Sequence, residues 1–163
     1  MDVLEKLKQR WQGIEYPFLV HSKSELRFGE IAEQASVDLS DVQCGDVVAL
    51  IGDFDPQSIL TLLQLIDRNA ILVPLTADTK PQHDYFFESA LVDIVIEDDS
   101  VKRIQHNRKH ELIEQLRSKE HAGLVLFSTG TTGRPKAILH DLTLFMKRFE
   151  TPRPTLKTIN FLL

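Results

Sequence analysis

The sequence is poor in cysteine and contains no long hydrophobic run. Cys44 is the only cysteine among 163 residues, so an internal disulfide is excluded and a reducing compartment is favoured. No apolar stretch approaches the roughly 18 to 20 residues that a membrane-spanning helix needs. The charged, amphipathic residues 1–8 do not resemble a signal peptide. We therefore expect a cytoplasmic protein with no membrane span.

Positively charged residues are outnumbered by negatively charged ones. The chain has 19 Lys and Arg against 24 Asp and Glu, which gives a formal net charge of -5. A nucleic-acid-binding surface needs clustered Lys and Arg, so we expect no nucleic-acid partner. This balance does not exclude a nucleotide, because a few local donors suffice to bind one. The hydrophobic fraction of 42% is that of an ordinary globular domain.

Short apolar runs alternate with segments of helical periodicity along the whole chain. Strands are predicted at 17–20, 47–51, 70–74, 92–96, 101–105, 124–127 and 136–139, and helices at 1–12, 28–35, 56–69, 81–90, 108–118 and 142–149. This order predicts an α/β fold, with a layered, mixed and largely parallel sheet flanked by helices. We find no long linker, so residues 1–163 are expected to form a single domain.

The best-defined helix is predicted over 56–69, between two apolar strands. Asp55 is a suitable N-cap and Pro56 fits the first helical position. Asn69 can end the helix in the left-handed conformation. Because the helix connects strands 47–51 and 70–74, these two should be parallel neighbours joined by a right-handed crossover.

Residues 128–136 read STGTTGRPK and follow an apolar strand. Glycines allow the backbone to approach a ligand closely, successive backbone N–H groups can form an anion site, and hydroxyl groups can donate to phosphate oxygens. Lys136 adds a positive charge at the end of the segment. These are the parts needed to hold a polyphosphate.

The segment is not one of the common nucleotide-binding loops. Gly130 and Gly133 are only three positions apart, and Arg134-Pro135 precedes Lys136, so neither the Walker A pattern nor the dinucleotide pattern fits. Pro135 disfavours a helix starting at the second glycine. We expect the loop to connect two strands.

Residues 128–136 fit the pattern [ST]-[ST]-G-[ST]-T-G-x-P-K, in which x is any residue. It resembles the signature of the adenylate-forming superfamily, which includes acyl-CoA synthetases, luciferase-like enzymes and peptide-synthetase adenylation domains. Residues 65–75 resemble a second family motif, in which a helix end leads into a strand ending Val-Pro-Leu, although Asn69-Ala70 stands where the family often has Ala-Gly. Residues 45–50 resemble the first core strand. The resemblance spans about residues 25–163 and implies the fold of the N-terminal subdomain of acyl-CoA synthetases.

The resemblance implies ATP-dependent activation of a small carboxylic acid, forming an acyl-adenylate and pyrophosphate, with Mg²⁺ as cofactor and coenzyme A as the usual acceptor. The implied phosphate-binding residues are Ser128, Thr129, Gly130, Thr131, Thr132, Gly133 and Lys136. No catalytic residue and no metal ligand is assigned. The alternatives are a non-catalytic nucleotide-binding or interaction module, and a peptide-synthetase adenylation domain that loads a carrier protein.

Later motifs of the superfamily are missing from this sequence. It has no aromatic-Gly-x-Thr-Glu segment and no lysine of a C-terminal domain. The chain also ends in the apolar run 158–163. We therefore expect a fragment truncated at its C-terminus, inactive by itself, whose partner is the rest of the parent chain.

Five other residues could suggest a site, and each has a simpler interpretation. His106 and His110 have metal-binding spacing, but a solvated charged face is favoured. His140 could lie near an acyl pocket, although packing is favoured. Cys44 is expected to be small and buried. Arg134 is expected to be solvated.

Overall fold

A six-stranded sheet forms the centre of the computed structural model, which describes residues 3–21, 24–33, 37–53, 55–128 and 133–148. The strands are β1 Leu19–His21, β2 Ser24–Leu26, β3 Val47–Ile51, β4 Ile71–Leu75, β5 Ile94–Glu97, β6 Ser100–Arg103, β7 Gly123–Ser128 and β8 Lys136–Asp141. The order in the large sheet is β6-β5-β3-β4-β7-β8, while β1 and β2 form a separate hairpin.

The four inner strands are parallel to one another, and the two outer strands are antiparallel to their neighbours. This confirms the predicted largely parallel, mixed sheet. The described helices are α1 Val3–Trp11, α2 Phe28–Ala32, α3 Pro56–Asp67, α4 His83–Ala90, α5 Glu111–Ser118 and α6 Leu142–Lys147. A 3₁₀ helix, Ala77–Gln82, precedes α4.

Apolar side chains cover both faces of the sheet. In β3, Val48 and Leu50 join one core with α1, α2, α3 and α6, while Val47 and Ala49 join a second core with α4 and α5. Every residue of β3 is buried, as expected for a central strand of a parallel sheet. Helices therefore flank the sheet on both faces, as the sequence predicts.

The predicted ends of α3 are confirmed. The Asp55 carboxylate accepts a hydrogen bond from the Ser58 backbone N–H at 2.9 Å, and Pro56 is the first residue of the helix. Asn69 has φ of 56° just after the helix. These local signals were sufficient because caps depend on residues within one turn of the helix end.

The expectations about the burial of Cys44 and His140 are wrong. Cys44 is exposed, because it lies in the turn before β3 and not in the strand. His140 is exposed on β8, because β8 is the last strand of the sheet and its second edge has no neighbouring strand among the described residues. Neither side chain is a core residue.

Candidate phosphate-binding site

The segment 128–136 connects β7 to β8, so the expectation of a loop between two strands is confirmed. Ser128 pairs with Lys136 as the last register pair of the two antiparallel strands. Ser128 is half-buried, while Gly133 and Lys136 are exposed. Thr129, Gly130, Thr131 and Thr132 lie outside the described residues. The structure therefore brings Ser128 and Lys136 together at the base of the loop.

The loop leaves the sheet at the edge where ligands are found in α/β folds. β7 is parallel to β4, and β4 is parallel to β3, so the carboxyl ends of these strands lie at the same edge. In open α/β sheets, binding sites form outside the carboxyl ends of the strands. The topology thus puts the base of the loop on the edge of the sheet suited to a ligand.

Gly133 is not required by its own surroundings. A Cβ atom there would meet no atom of the described residues within 4 Å. Packing against the described residues therefore does not require a glycine here.

Helix α4 contacts both stems of the loop, which are the entry stem at the end of β7 and the exit stem at residues 134–136. The Tyr85 hydroxyl donates a hydrogen bond of 2.7 Å to the carbonyl oxygen of Pro135, and the Arg134 guanidinium lies 5.4 Å from the centre of the Tyr85 ring. On the other stem, the rings of Phe86 and Phe127 are stacked with centroids 4.1 Å apart. Sequence reasoning missed Tyr85 and Phe86, since no motif links α4 to a loop 50 residues away. Arg134 is exposed as expected, and its contact with Tyr85 was not foreseen.

A cleft at the same end of the sheet differs from this loop in its charge. A cleft of about 350 Å³ beyond the carboxyl end of β3 is lined by Asp53, Asp55, Glu97 and Asp98 and by no lysine or arginine. Burial acts to raise the pKa of Asp55, but hydrogen bonds from the hydroxyl and amide of Ser58 hold that pKa below its ordinary value. The cleft is therefore anionic and unsuited to a polyphosphate.

The β7–β8 end carries the opposite charge. Arg134 and Lys136 are exposed there, and neither forms an ion pair with another described residue. An exposed cation without an anionic partner is free to bind an incoming phosphate. Of the two features at this edge, the base of the loop is the one that carries positive charge.

The two histidines with metal-binding spacing lie in different surroundings. His106 Nε2 lies 3.2 Å from Asp93 Oδ1, whereas His110 accepts a hydrogen bond from the Leu112 amide and caps α5. Within the described ranges, no group of three His, Cys, Asp or Glu could hold a metal ion. The two histidines therefore have separate local roles, and the expected solvated face is wrong for His106, which is half-buried beside Asp93.

Across the part of the chain that the structure describes, none of the helices has both the length and the apolar character needed to cross a bilayer.

Comparison with known proteins identifies the fold. No protein-family model matches the sequence, and no curated protein is significantly similar to it. The N-terminal subdomain of NpsA from Klebsiella oxytoca, in complex with anthranilyl-AMSN, has a TM-score of 0.65 and 21% identity over 94% of this chain and 43% of that chain. NpsA-ThdA, an artificially fused adenylation–PCP di-domain NRPS from the same organism, gives 0.59 and 22% over 85% and 31%.

A third solved structure, VinN with L-aspartate, has a TM-score of 0.57 and 15% identity, over 87% of this chain and 47% of that chain. The chain thus spans less than half the length of each of these proteins. At such identities the similarity establishes the fold, which agrees with the resemblance to adenylate-forming enzymes carried by residues 128–136. The chain has the fold of the N-terminal subdomain of NpsA.

Proposed function

We propose that this chain is the N-terminal subdomain of an ATP-dependent adenylate-forming enzyme, and that loop 128–136 binds the β- and γ-phosphates of ATP. One observation carries the proposal. The STGTTGRPK segment connects two antiparallel strands at the carboxyl edge of a sheet that has the fold of the NpsA N-terminal subdomain. Both the loop sequence and its position in the sheet support this reading.

The loop would act by positioning and by neutralising charge. The hydroxyl groups of Ser128, Thr129, Thr131 and Thr132 would donate hydrogen bonds to phosphate oxygens, and Gly130 and Gly133 would let the backbone approach them. Lys136 would balance the negative charge of the departing pyrophosphate. The carboxylate of the acid substrate would attack the α-phosphorus, giving an acyl-adenylate.

Other components of the reaction are not assigned to this subdomain. Mg²⁺ would accompany ATP, but the described residues offer no cluster suited to a metal ion, so we assign no magnesium ligand here. The acid-binding residues and the remaining adenylate contacts would come from the rest of a longer enzyme. By itself the subdomain is expected to bind phosphate without turnover. A cytoplasmic location is proposed from the single cysteine.

The acyl acceptor distinguishes two versions of the proposal. A thiol such as coenzyme A would make the enzyme an acid–thiol ligase of the acyl-CoA synthetase kind. Alternatively, the acceptor would be a carrier protein, and the similarity to NpsA-ThdA, an adenylation–PCP di-domain, favours this version. Product analysis of the longer enzyme with coenzyme A, or with a carrier protein bearing a phosphopantetheine thiol, separates them.

The binding claim is tested by titrating inorganic pyrophosphate and ATP into the chain by calorimetry. Lys136→Ala should weaken pyrophosphate binding about ten- to a hundredfold, because a hydrogen bond to a charged group contributes roughly 1.5–3 kcal/mol. Lys102→Ala is the matched control, since Lys102 is exposed on β6 at the opposite end of the sheet. Equal affinity in the wild type and both variants would exclude Lys136 as a ligand.

The catalytic claim requires the longer enzyme. ATP–pyrophosphate exchange with a panel of carboxylic acids should proceed with at least one acid. Pyrophosphate binding without exchange for any acid would instead support the non-catalytic nucleotide-binding module. If neither binding nor exchange occurs, an interaction domain is the better description.

A further inference from the structure

We propose that Tyr85 is a positioning residue for the phosphate-binding loop, acting through Pro135 to fix the place of Lys136. The inference rests on the proposed function, because it concerns how that same loop is held. It assigns to α4 a task that no motif in the sequence indicates. The positioned group is the backbone on the exit side of the loop, where β8 begins.

The hydrogen bond between Tyr85 and Pro135 is directional and joins residues that are 50 positions apart in the sequence. The Tyr85 hydroxyl donates to the Pro135 carbonyl oxygen at 2.7 Å, the usual length of an O–H···O hydrogen bond. Pro135 has no backbone N–H and its φ is fixed by the ring. Holding its carbonyl therefore fixes the peptide plane that leads into Lys136.

The same side chain restrains the residue before Pro135. The Arg134 guanidinium lies 5.4 Å from the centre of the Tyr85 ring, within the range of a cation–π interaction. Tyr85 thus contacts two successive residues of the exit stem through two different groups, its hydroxyl and its ring. Packing alone would use only the ring.

The entry stem is held from the next position of the same helix. Phe86 is buried and its ring stacks on that of Phe127, the residue before Ser128. In the β7–β8 register, Phe127 pairs with Ala137 and Ser128 pairs with Lys136. One turn of α4 therefore contacts both stems where the loop begins and ends. We call these contacts of Tyr85 and Phe86 the α4 clamp. Its polar contact is the hydrogen bond from the Tyr85 hydroxyl.

The test substitutes each tyrosine of the chain, of which there are two. Tyr85→Phe removes the hydroxyl and keeps the ring over Arg134. Tyr16→Phe is the matched control, because Tyr16 is 73% exposed. Amide hydrogen exchange is measured over residues 128–141, together with trypsin cleavage after Lys136. Pyrophosphate affinity and the melting temperature are measured in parallel.

We expect Tyr85→Phe to accelerate exchange and cleavage at the exit stem by about two- to tenfold, the effect of one hydrogen bond. Pyrophosphate affinity should fall by a similar factor, while Tyr16→Phe changes neither. Unchanged exchange in Tyr85→Phe would show that the Tyr85 hydroxyl does not hold the exit stem, and would overturn the proposal. Faster exchange with unchanged affinity would leave Tyr85 a structural residue and overturn its positioning role.

The outcomes for the wild type separate this inference from the proposed function. If the wild-type chain binds no pyrophosphate, the proposed function fails, and with it the role of Tyr85 toward a ligand, whereas the exchange data still decide whether Tyr85 holds the stem. If the wild type binds and Tyr85→Phe binds equally well, the proposed function stands and only the inference fails.

Discussion

Two loops leave the same carboxyl edge of the sheet, after β3 and after β7, and they satisfy their polar groups differently. The loop after β3 is closed on itself. Asp55 accepts hydrogen bonds from both the amide and the hydroxyl of Ser58, and Gly52 lies so close to Ser58 that a Cβ atom would come within 2.1 Å of the serine hydroxyl oxygen.

The loop after β7 is open at the positions that the structure describes. Among the described residues, no atom lies within 4 Å of a Cβ position at Gly133, and Lys136 has no ion-pair partner. The difference teaches that glycines in two loops at the same end of the sheet can be required for different reasons. Gly52 is required by the chain's own packing, whereas the requirement for Gly133 would come from a ligand.

The largest expected effect is at Gly52. Gly52→Ala should destabilise the fold by about 1–3 kcal/mol, the cost of overpacking, because the new methyl group would also contact Ser58 Cβ at 2.9 Å. Urea denaturation measures the free energy of unfolding. A Gly52→Ala variant as stable as the wild type would show that the α3 N-terminus can move away freely.

Gly133→Ala is the counterpart. Its free energy of unfolding should stay within about 0.5 kcal/mol of the wild type, as for an exposed substitution without new contacts, while its pyrophosphate affinity falls. A marked loss of stability here would remove the contrast between the two loops.

The sequence predicts the first of these loops better than the second. The N-cap Asp55, Pro56 and the left-handed Asn69 depend on neighbours within a few residues, and all three predictions are confirmed. The buried run 47–51 is likewise evident from its apolar residues, because a central parallel strand has no solvent face.

The second loop depends on contacts that composition and spacing do not encode. Its position between two strands was predicted from Pro135, and the structure confirms it. The Tyr85–Pro135 hydrogen bond links residues 50 apart and could only be found once α4 was placed on the sheet. Cys44 and His140 were predicted to be packed and are exposed, because burial near a turn or an edge strand depends on the final topology.

A smaller effect is expected from the N-cap itself. Asp55→Ala should cost about 1 kcal/mol of unfolding free energy at neutral pH, the usual consequence of removing an N-cap side chain. Asp53→Ala is the control, since Asp53 is exposed two residues earlier and should change stability by less than about 0.5 kcal/mol. Equal losses in both variants would mean that general charge, and not the cap, stabilises the loop after β3.

The smallest effect is the pH dependence of that cap. The pKa of Asp55 is below its ordinary value in the folded state because the hydrogen bonds from Ser58 outweigh the effect of burial. A carboxyl group of this kind stabilises the fold fully above its unfolded-state pKa, near 3.9, and the contribution is lost as the pH falls through the lower, folded-state value.

The difference in unfolding free energy between the wild type and Asp55→Asn should therefore shrink as the pH is lowered below about 3.9, since asparagine keeps a capping oxygen without the charge. Urea denaturation at several pH values measures it. A difference that stays constant from neutral to acidic pH would assign the stabilisation to the geometry of the cap alone. In that case the loop after β3 would differ from the loop after β7 in packing and not in electrostatics.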